Sequence, residues 1–299
     1  MNFVIILLIF IFGCTIGSFL NVIILRSGKG EKITGRSYCP HCHKKLKWWE
    51  LIPIISFFIL RGRCSKCRAK ISWQYPLVEF FTGLCFVLIF WRFVQFPFYL
   101  VSLFGPWSWS KIVALLILFI WFYFISVLIV LAVYDLRNYE ILINLLIPAL
   151  IIALIYQTGL YFISQRSQVL FLNNYNFNFL AEGRYFFGNF LFPFNLILGL
   201  AIYSIVLGLL SWLSKGKAMG YGDPILGLFL GALLNWPAAL MALVLSFLLG
   251  GFWGAFLVVL KRKKLKSYLP FGPFLVLGAL LIIFFGDIIL SGYFKLFNV

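Results

Sequence analysis

Eight long apolar runs constrain this chain more than any other feature. They fall at about 3–25, 77–96, 112–134, 141–163, 194–213, 225–235, 238–260 and 269–291. A helix rises about 1.5 Å per residue, so about 20 apolar residues cover the ~30 Å hydrocarbon core of a bilayer. Inside that core every backbone N–H and C=O must be bonded within the protein, and for runs of this length the helix does so. With 63% hydrophobic residues against 11% charged ones, a soluble globular domain is excluded. The expected class is an all-α polytopic membrane protein with about eight transmembrane helices and one small cytoplasmic loop domain. The sixth run is short and stops at Asn235-Trp236-Pro237. The first is too long for a signal-peptide core, has no basic residue before it, and is followed by Arg26 and Lys29; it reads as an anchor.

The basic residues orient these helices. Segments 26–76, 135–140, 214–224 and 261–268 hold 12, 1, 2 and 5 Lys or Arg, which is 20 of the 25 in the chain. Positive residues stay on the cytoplasmic side, so the N-terminus is expected outside and those segments inside. This distribution also accounts for the net charge of +17 without nucleic acid as a partner. The basic residues flank membrane helices, and Lys261-Arg262-Lys263-Lys264 reads as an anchor on anionic membrane lipids.

Against so many bases, acids are scarce. The chain has three Asp, at 135, 223 and 287. Asp135 ends the third run and Asp223 precedes the sixth, both on the expected cytoplasmic side, whereas Asp287 falls near the outer end of the last run. Asp223 belongs to Met219-Gly220-Tyr221-Gly222-Asp223-Pro224. Pro224 suits a first helical turn, and Asp223 reads as the N-cap ahead of it. Gly220 and Gly222 leave the backbone bare, so that another chain could lie beside the carboxylate. Two readings stand for the pair: a helix cap and an Asp135 neutralised by Arg137, or two catalytic acids. Asn21, near the inner end of the first helix, is either a packing contact or a residue lining the site. Glu79 either snorkels to the headgroups or acts as a functional acid.

The loop 26–76 carries Cys39-Pro40-His41-Cys42 and Cys64-Ser65-Lys66-Cys67, with 21 residues between the pairs. Paired C-x₂-C knuckles in a reducing compartment indicate zinc rather than disulfides. Four thiolates fill a tetrahedron and leave no open position, so the expected role of Cys39, Cys42, Cys64 and Cys67 is structural. In so short a loop the metal would supply much of the folding free energy. Cys14 and Cys85 lie within membrane runs and read as packing.

These features in order resemble the bacterial prepilin peptidases (type IV leader peptidases), membrane aspartyl proteases of the GxGD type. The resemblance runs through Gly17 to Arg26, the four-cysteine loop, Tyr75-Pro76-Leu77-Val78-Glu79, Asp135-Leu136-Arg137, Met219 to Asp223 and Pro270 to Phe274. It implies cleavage of a basic leader from prepilins or pseudopilins at the cytoplasmic face, with Asp135 and Asp223 as the catalytic aspartates. It also implies, for many members, methylation of the new N-terminus by S-adenosylmethionine. No glycine-rich nucleotide loop after a strand is present, so that activity rests on the resemblance alone. The chain departs from the family pattern at Ile225, where a Lys is common, at Ala218, where Gly is usual, and after Asp135, where only Asn144 roughly answers the usual Pro-Asp or Pro-Asn. The expected domains are 1–25, the first helix; 26–76, the zinc-binding loop; and 77–299, the protease core.

Two carboxylates a few ångströms apart share one proton, the arrangement of an aspartic dyad. Both His lie in the cysteine loop, which leaves no Ser-His-Asp set, and no H-E-x-x-H is present. The competing class is a transporter using Asp135 and Asp223 as ion ligands, but repeated halves with helices broken at mid-membrane are missing. For a basic leader, the available acids are Glu79 and Glu140 at membrane entry points, with Asn21, Gly220 and Gly222 completing the expected substrate contacts.

Overall fold

A computed structural model describes residues 3–94, 109–166, 192–216, 219–261 and 269–297. Ala218, most of the loop 164–193 and the basic run after Lys261 lie outside the described residues, as does the side chain of Asp287. The described residues are helical, with no strand longer than two isolated bridges. In order they form α1 (Phe3–Ser27), a 3-10 turn (Trp48–Leu51), α2 (Ile55–Ile59), α3 (Gln74–Val94), α4 (Trp109–Asn138), α5 (Ile143–Arg166), α6 (Phe192–Leu213), α7 (Asp223–Leu234), α8 (Ala238–Val259) and α9 (Gly272–Phe297). Each expected apolar run is thus a helix. Six of them (α1, α3, α4, α5, α6 and α8) are long and apolar enough to cross a membrane. The 12 residues of α7 rise only about 18 Å, short of a full crossing.

The chain divides into two compact units, Met1–Val130 and Leu131–Val299. In the first, α1 packs closely on α3. A Cβ on Gly13 would lie 2.7 Å from the Gly83 Cα, and one on Gly17 would lie 2.7 Å from the Glu79 Cα. Helices in lipid gain little from burying apolar surface against each other, so backbone contact over small residues is what holds them together. Phe86 of α3 stacks on Phe122 of α4, with ring centroids 4.2 Å apart.

In the second unit α7 is the inner element. Nine of its residues are buried, including Leu226, Phe229, Leu230 and Leu233, which fits a helix that is apolar on all sides. A short helix ending within a bundle leaves its last carbonyls without helical partners. Gln157 of α5 supplies two of the missing donors: its Nε2 donates to the Ala232 and Leu233 carbonyls at 3.1 and 3.2 Å. The chain then turns through Asn235 into α8, and α9 packs against α8.

Candidate active site and metal centre

Three helix ends meet in the second unit. Asp135 lies in the last turn of α4, Asp223 is the first residue of α7, and Gly272 is the first residue of α9. Both carboxylates are 4% exposed and lie within electrostatic reach of each other. Arg137, two residues after Asp135, is exposed while Asp135 is buried; residues two apart point to different sides of a helix. Met219, Leu226 and Tyr134, close to the two aspartates in sequence, are buried as well.

Asp223 does not serve as the expected N-cap. Gly222 holds that position, and the Asp223 carboxylate turns backward, with Oδ2 accepting the Gly220 N–H at 3.1 Å. The Asp223 N–H in turn donates to the Gly220 carbonyl at 3.3 Å. The glycine loop thus closes on the aspartate and fixes it at the positive end of α7, while Oδ1 is left for other partners. Gly222 is needed for a contact inside the protein, since a Cβ there would lie 3.0 Å from the Ile141 Cβ.

Asp135 faces the start of α9. A Cβ on Gly272 would lie 2.5 Å from Asp135 Oδ2. The Gly272 N–H is directed at the carboxyl group, yet Oδ2 closes no hydrogen bond of normal geometry and, among the described residues, is buried without a partner. Leaving such an atom unpaired costs free energy, which singles it out as an atom kept for something other than folding. Gly272 belongs to Pro270-Phe271-Gly272-Pro273, part of a stretch that carries the family resemblance. In the structure its Gly272 backbone packs on Asp135.

The other expected substrate contacts are more scattered. Glu140 is exposed just beyond α4. Glu79, in the first unit, is buried and its Oε2 accepts the Ile54 N–H at 2.6 Å. Asn21 is buried as well, donating through Nδ2 to the carbonyls of Gly17 at 3.4 Å and Tyr75 at 3.2 Å, while its Oδ1 has no partner among the described residues.

The four cysteines come together. Their Sγ atoms all lie within 4.8 Å of one another, and Cys39 and Cys67 are 3.8 Å apart. A tetrahedron with ~2.3 Å zinc–sulfur bonds has edges of about 3.8 Å, so the donor set fits zinc. The two knuckles are built alike. Cys39 N–H donates to the Lys44 carbonyl and Cys64 N–H to the Ala69 carbonyl; His43 N–H returns to Cys39 and Arg68 N–H to Cys64. His43 and Arg68 both take the left-handed conformation, with φ of 52° and 57°. Each turn is pinned by a bridge, Tyr38 to Lys45 and Arg63 to Lys70. The Cys67 and Lys66 N–H groups pull the Cys64 thiol down to about 6, toward the thiolate a metal requires.

One network in this loop was not read from the sequence. Glu50 is buried and accepts from the Lys47 N–H (2.7 Å), from Lys44 Nζ (2.9 Å) and from the Ser65 hydroxyl. Burial alone would raise its carboxyl, but these three donors hold it down at about 2. Because Ser65 follows Cys64 and Lys44 follows Cys42, Glu50 ties the two knuckles together. A single Glu in a basic loop gives no sequence sign of this role.

Comparison with known proteins agrees along the chain. A family described as the bacterial peptidase A24 N-terminal domain matches residues 11–93, and the type IV leader peptidase family matches residues 122–255. A prepilin leader peptidase/N-methyltransferase of Aeromonas hydrophila is 31% identical over 96% of this chain and 92% of its own length. Its counterpart from Legionella pneumophila is 28% identical over 96% and 93%. One from Myxococcus xanthus is 28% identical over 84% of this chain and 62% of that protein. No solved structure matches.

Proposed function

From the premise that this chain belongs to the type IV leader peptidase family, we propose that it is a membrane aspartic endopeptidase that removes the leader from prepilin-like proteins, with Asp135 and Asp223 as its dyad. The observation that carries the assignment of residues is the buried, unpartnered Asp135 Oδ2 within electrostatic reach of Asp223. Two buried carboxylates near each other hold one proton between them. The ionised member takes a proton from water, and the resulting hydroxide oxygen bonds to the scissile carbonyl carbon. The protonated member gives its proton to the carbonyl oxygen. Collapse of the tetrahedral intermediate breaks the C–N bond: the proton first taken from water passes to the leaving amine, and one hydroxyl proton of the intermediate returns to the other carboxylate, restoring the one-proton dyad.

The chain's own groups prepare these steps. Gly220 N–H holds one oxygen of Asp223. Gly272 gives Asp135 a neighbour without a side chain. Glu140, exposed, offers a carboxylate to a basic leader; Glu79 reaches that role only by releasing the Ile54 N–H, and Asn21 only through its unpartnered Oδ1. Cys39, Cys42, Cys64 and Cys67 hold a structural zinc that folds the loop and takes no part in hydrolysis. In this reading 1–25 is the first membrane helix, 26–76 the zinc-binding loop and 77–299 the protease core, and the protein lies in the bacterial inner membrane with its N-terminus outside and the dyad and zinc loop at the cytoplasmic face. Lipids surround it and prepilins or pseudopilins are its substrates. The relatives' names include an N-methyltransferase, and this chain shares that activity, with S-adenosylmethionine as the methyl donor. Nothing among the relatives supports the transporter reading.

The test is cleavage of a prepilin by the purified full chain. Asp135→Asn and Asp223→Asn should each abolish cleavage while the protein still inserts in membranes and keeps its metal. Substantial activity in the Asp223→Asn protein would end the proposal.

A further inference from the structure

The zinc loop contains Leu51-Ile52-Pro53-Ile54-Ile55-Ser56-Phe57-Phe58-Ile59-Leu60, ten residues without a charge. Such a stretch is too short to span a bilayer; it forms either a buried core helix or an element lying at the membrane surface. Exposure separates the two. Phe57 is buried against Trp73 and Gly62, but Ile55, Phe58, Ile59 and Trp73 are 56–66% exposed. A water-facing loop that left these four side chains in contact with solvent would be an aggregation hazard.

Their position tells what covers them. Ile54, the residue before α2, donates its N–H to Glu79 Oε2 at 2.6 Å. Glu79 lies five residues into α3, about 7 Å along the helix from Gln74. Phe57 and Phe58 both pack on Trp73, immediately before α3, with ring centroids 4.8 and 6.3 Å away. The short helix α2 is therefore level with the first two turns of a membrane-spanning helix. On that helix Leu77, Phe80 and Phe81 are also exposed and apolar. The exposed face of α2 thus continues the lipid-facing surface of α3 outward.

Charge agrees with this placement. Loop 26–76 holds 12 Lys or Arg against two acids, Glu31 and Glu50. Glu31 pairs with Lys29 at 4.0 Å and Glu50 with Lys44 at 2.9 Å, so each acid has a cation beside it. Arg61 and Arg63, directly after α2, are exposed cations of the kind anionic headgroups attract.

We propose that Leu51–Leu60 is an interfacial membrane element, with α2 lying in the boundary between headgroups and acyl chains and Ile55, Phe58, Ile59 and Trp73 buried in anionic lipid. An element of this kind binds through buried apolar area together with attraction to anionic lipids. It seats the zinc loop on the bilayer at one more point than its two flanking helices.

The test uses the unaltered full chain in vesicles of phosphatidylethanolamine and phosphatidylglycerol, a fraction of the phosphatidylglycerol carrying a diazirine high on one acyl chain. After illumination and digestion, adducts are mapped by mass spectrometry. Peptide 55–60 and Trp73 should be labelled as heavily as Leu77, Phe80 and Phe81, on the order of tenfold above the knuckle peptides around His41 and Lys66. Labelling of α3 with none on 55–60 would overturn the proposal. So would loss of the 55–60 label on adding excess prepilin, which would make this face a protein-docking surface.

Discussion

Replacing Gly272 by Ala tests the geometry of the site more sharply than removing an aspartate does. The added methyl would start 2.5 Å from Asp135 Oδ2 and 3.2 Å from its Cγ. Non-bonded carbon contacts are comfortable at about 3.5–4.0 Å, so the methyl and the carboxyl must separate by about 1 Å. Asp135 is 4% exposed, on a helix end packed among its neighbours, and has little space to retreat into. Either the carboxyl rotates away from Asp223 or the start of α9 withdraws and takes its N–H along. A misplacement of about 1 Å at reacting groups can cost about 10²-fold in rate, equivalent to about 2.7 kcal/mol of barrier. The loss should appear in kcat for prepilin cleavage, with KM little changed. Gly159→Ala in α5 and Gly208→Ala in α6 are matched controls, because a Cβ at either position meets nothing within 4 Å. Both should keep full activity. If Gly272→Ala cleaves within about threefold of wild type, an effect below about 1 kcal/mol, the assigned contact with Asp135 does not matter to the chemistry.

Purified, reduced protein should contain about one zinc per chain, measured by metal analysis, and Cys→Ser changes at 39, 42, 64 or 67 should lower Tm more than they lower kcat at permissive temperature. Glu50→Gln should cost roughly 1–3 kcal/mol of loop stability at pH 7, read by thermal melting with zinc bound. Since the Glu50 carboxyl is held at about 2, below its ordinary value of 4.5, its contribution is complete above that ordinary value and disappears as pH falls from there toward 2. The Tm gap between wild type and Glu50→Gln should therefore narrow on acidification. Glu140→Gln should raise KM for a leader rich in Lys and Arg more than it lowers kcat, and should leave a neutral leader unaffected. Equal preference for the basic leader in variant and wild type would remove Glu140 from recognition.

The helices were legible because lipid imposes a length and a polarity on anything that crosses it; all eight apolar runs became helices, and among the described residues six of these meet the length for a crossing. The pair proposed as the dyad stood out through scarcity: of three Asp in the chain, Asp135 ends one apolar run and Asp223 precedes another. Tertiary neighbours were not legible. Nothing in the sequence says that Gly272 touches Asp135, since 136 positions separate them and the contact depends on how α9 begins. The expected cap at Asp223 failed for a local reason. With Gly222 in a helical conformation at the N-cap, the aspartate side chain reaches back to Gly220 N–H rather than forward along α7. Glu50 was hidden because a charge in a basic loop ordinarily sits in water, whereas here three donors compensate its burial.

Peptide hydrolysis within a membrane protein faces a conflict between its solvent and its chemistry. A spanning helix must bond its whole backbone internally, yet a protease needs free backbone donors, water and room for an extended substrate. Helix ends resolve this, because the first N–H groups of a helix lack helical partners. The chain has brought two such ends together, the start of α7 with Asp223 and the start of α9 with Gly272, beside the last turn of α4 with Asp135. The shortness of α7 follows the same logic. A helix of 12 residues can begin at the site and finish inside the protein, where Gln157 takes up its last carbonyls. Removing that support should act at a distance. Gln157→Leu leaves the Ala232 and Leu233 carbonyls unbonded, and at roughly 1–3 kcal/mol for a buried group left unsatisfied, the far end of α7 should loosen first. Hydrogen exchange across 230–235 would rise well before cleavage falls, because Asp223 is anchored at the opposite end by Gly220. Loss of cleavage without increased exchange in that stretch would show that α7 is not held in this way.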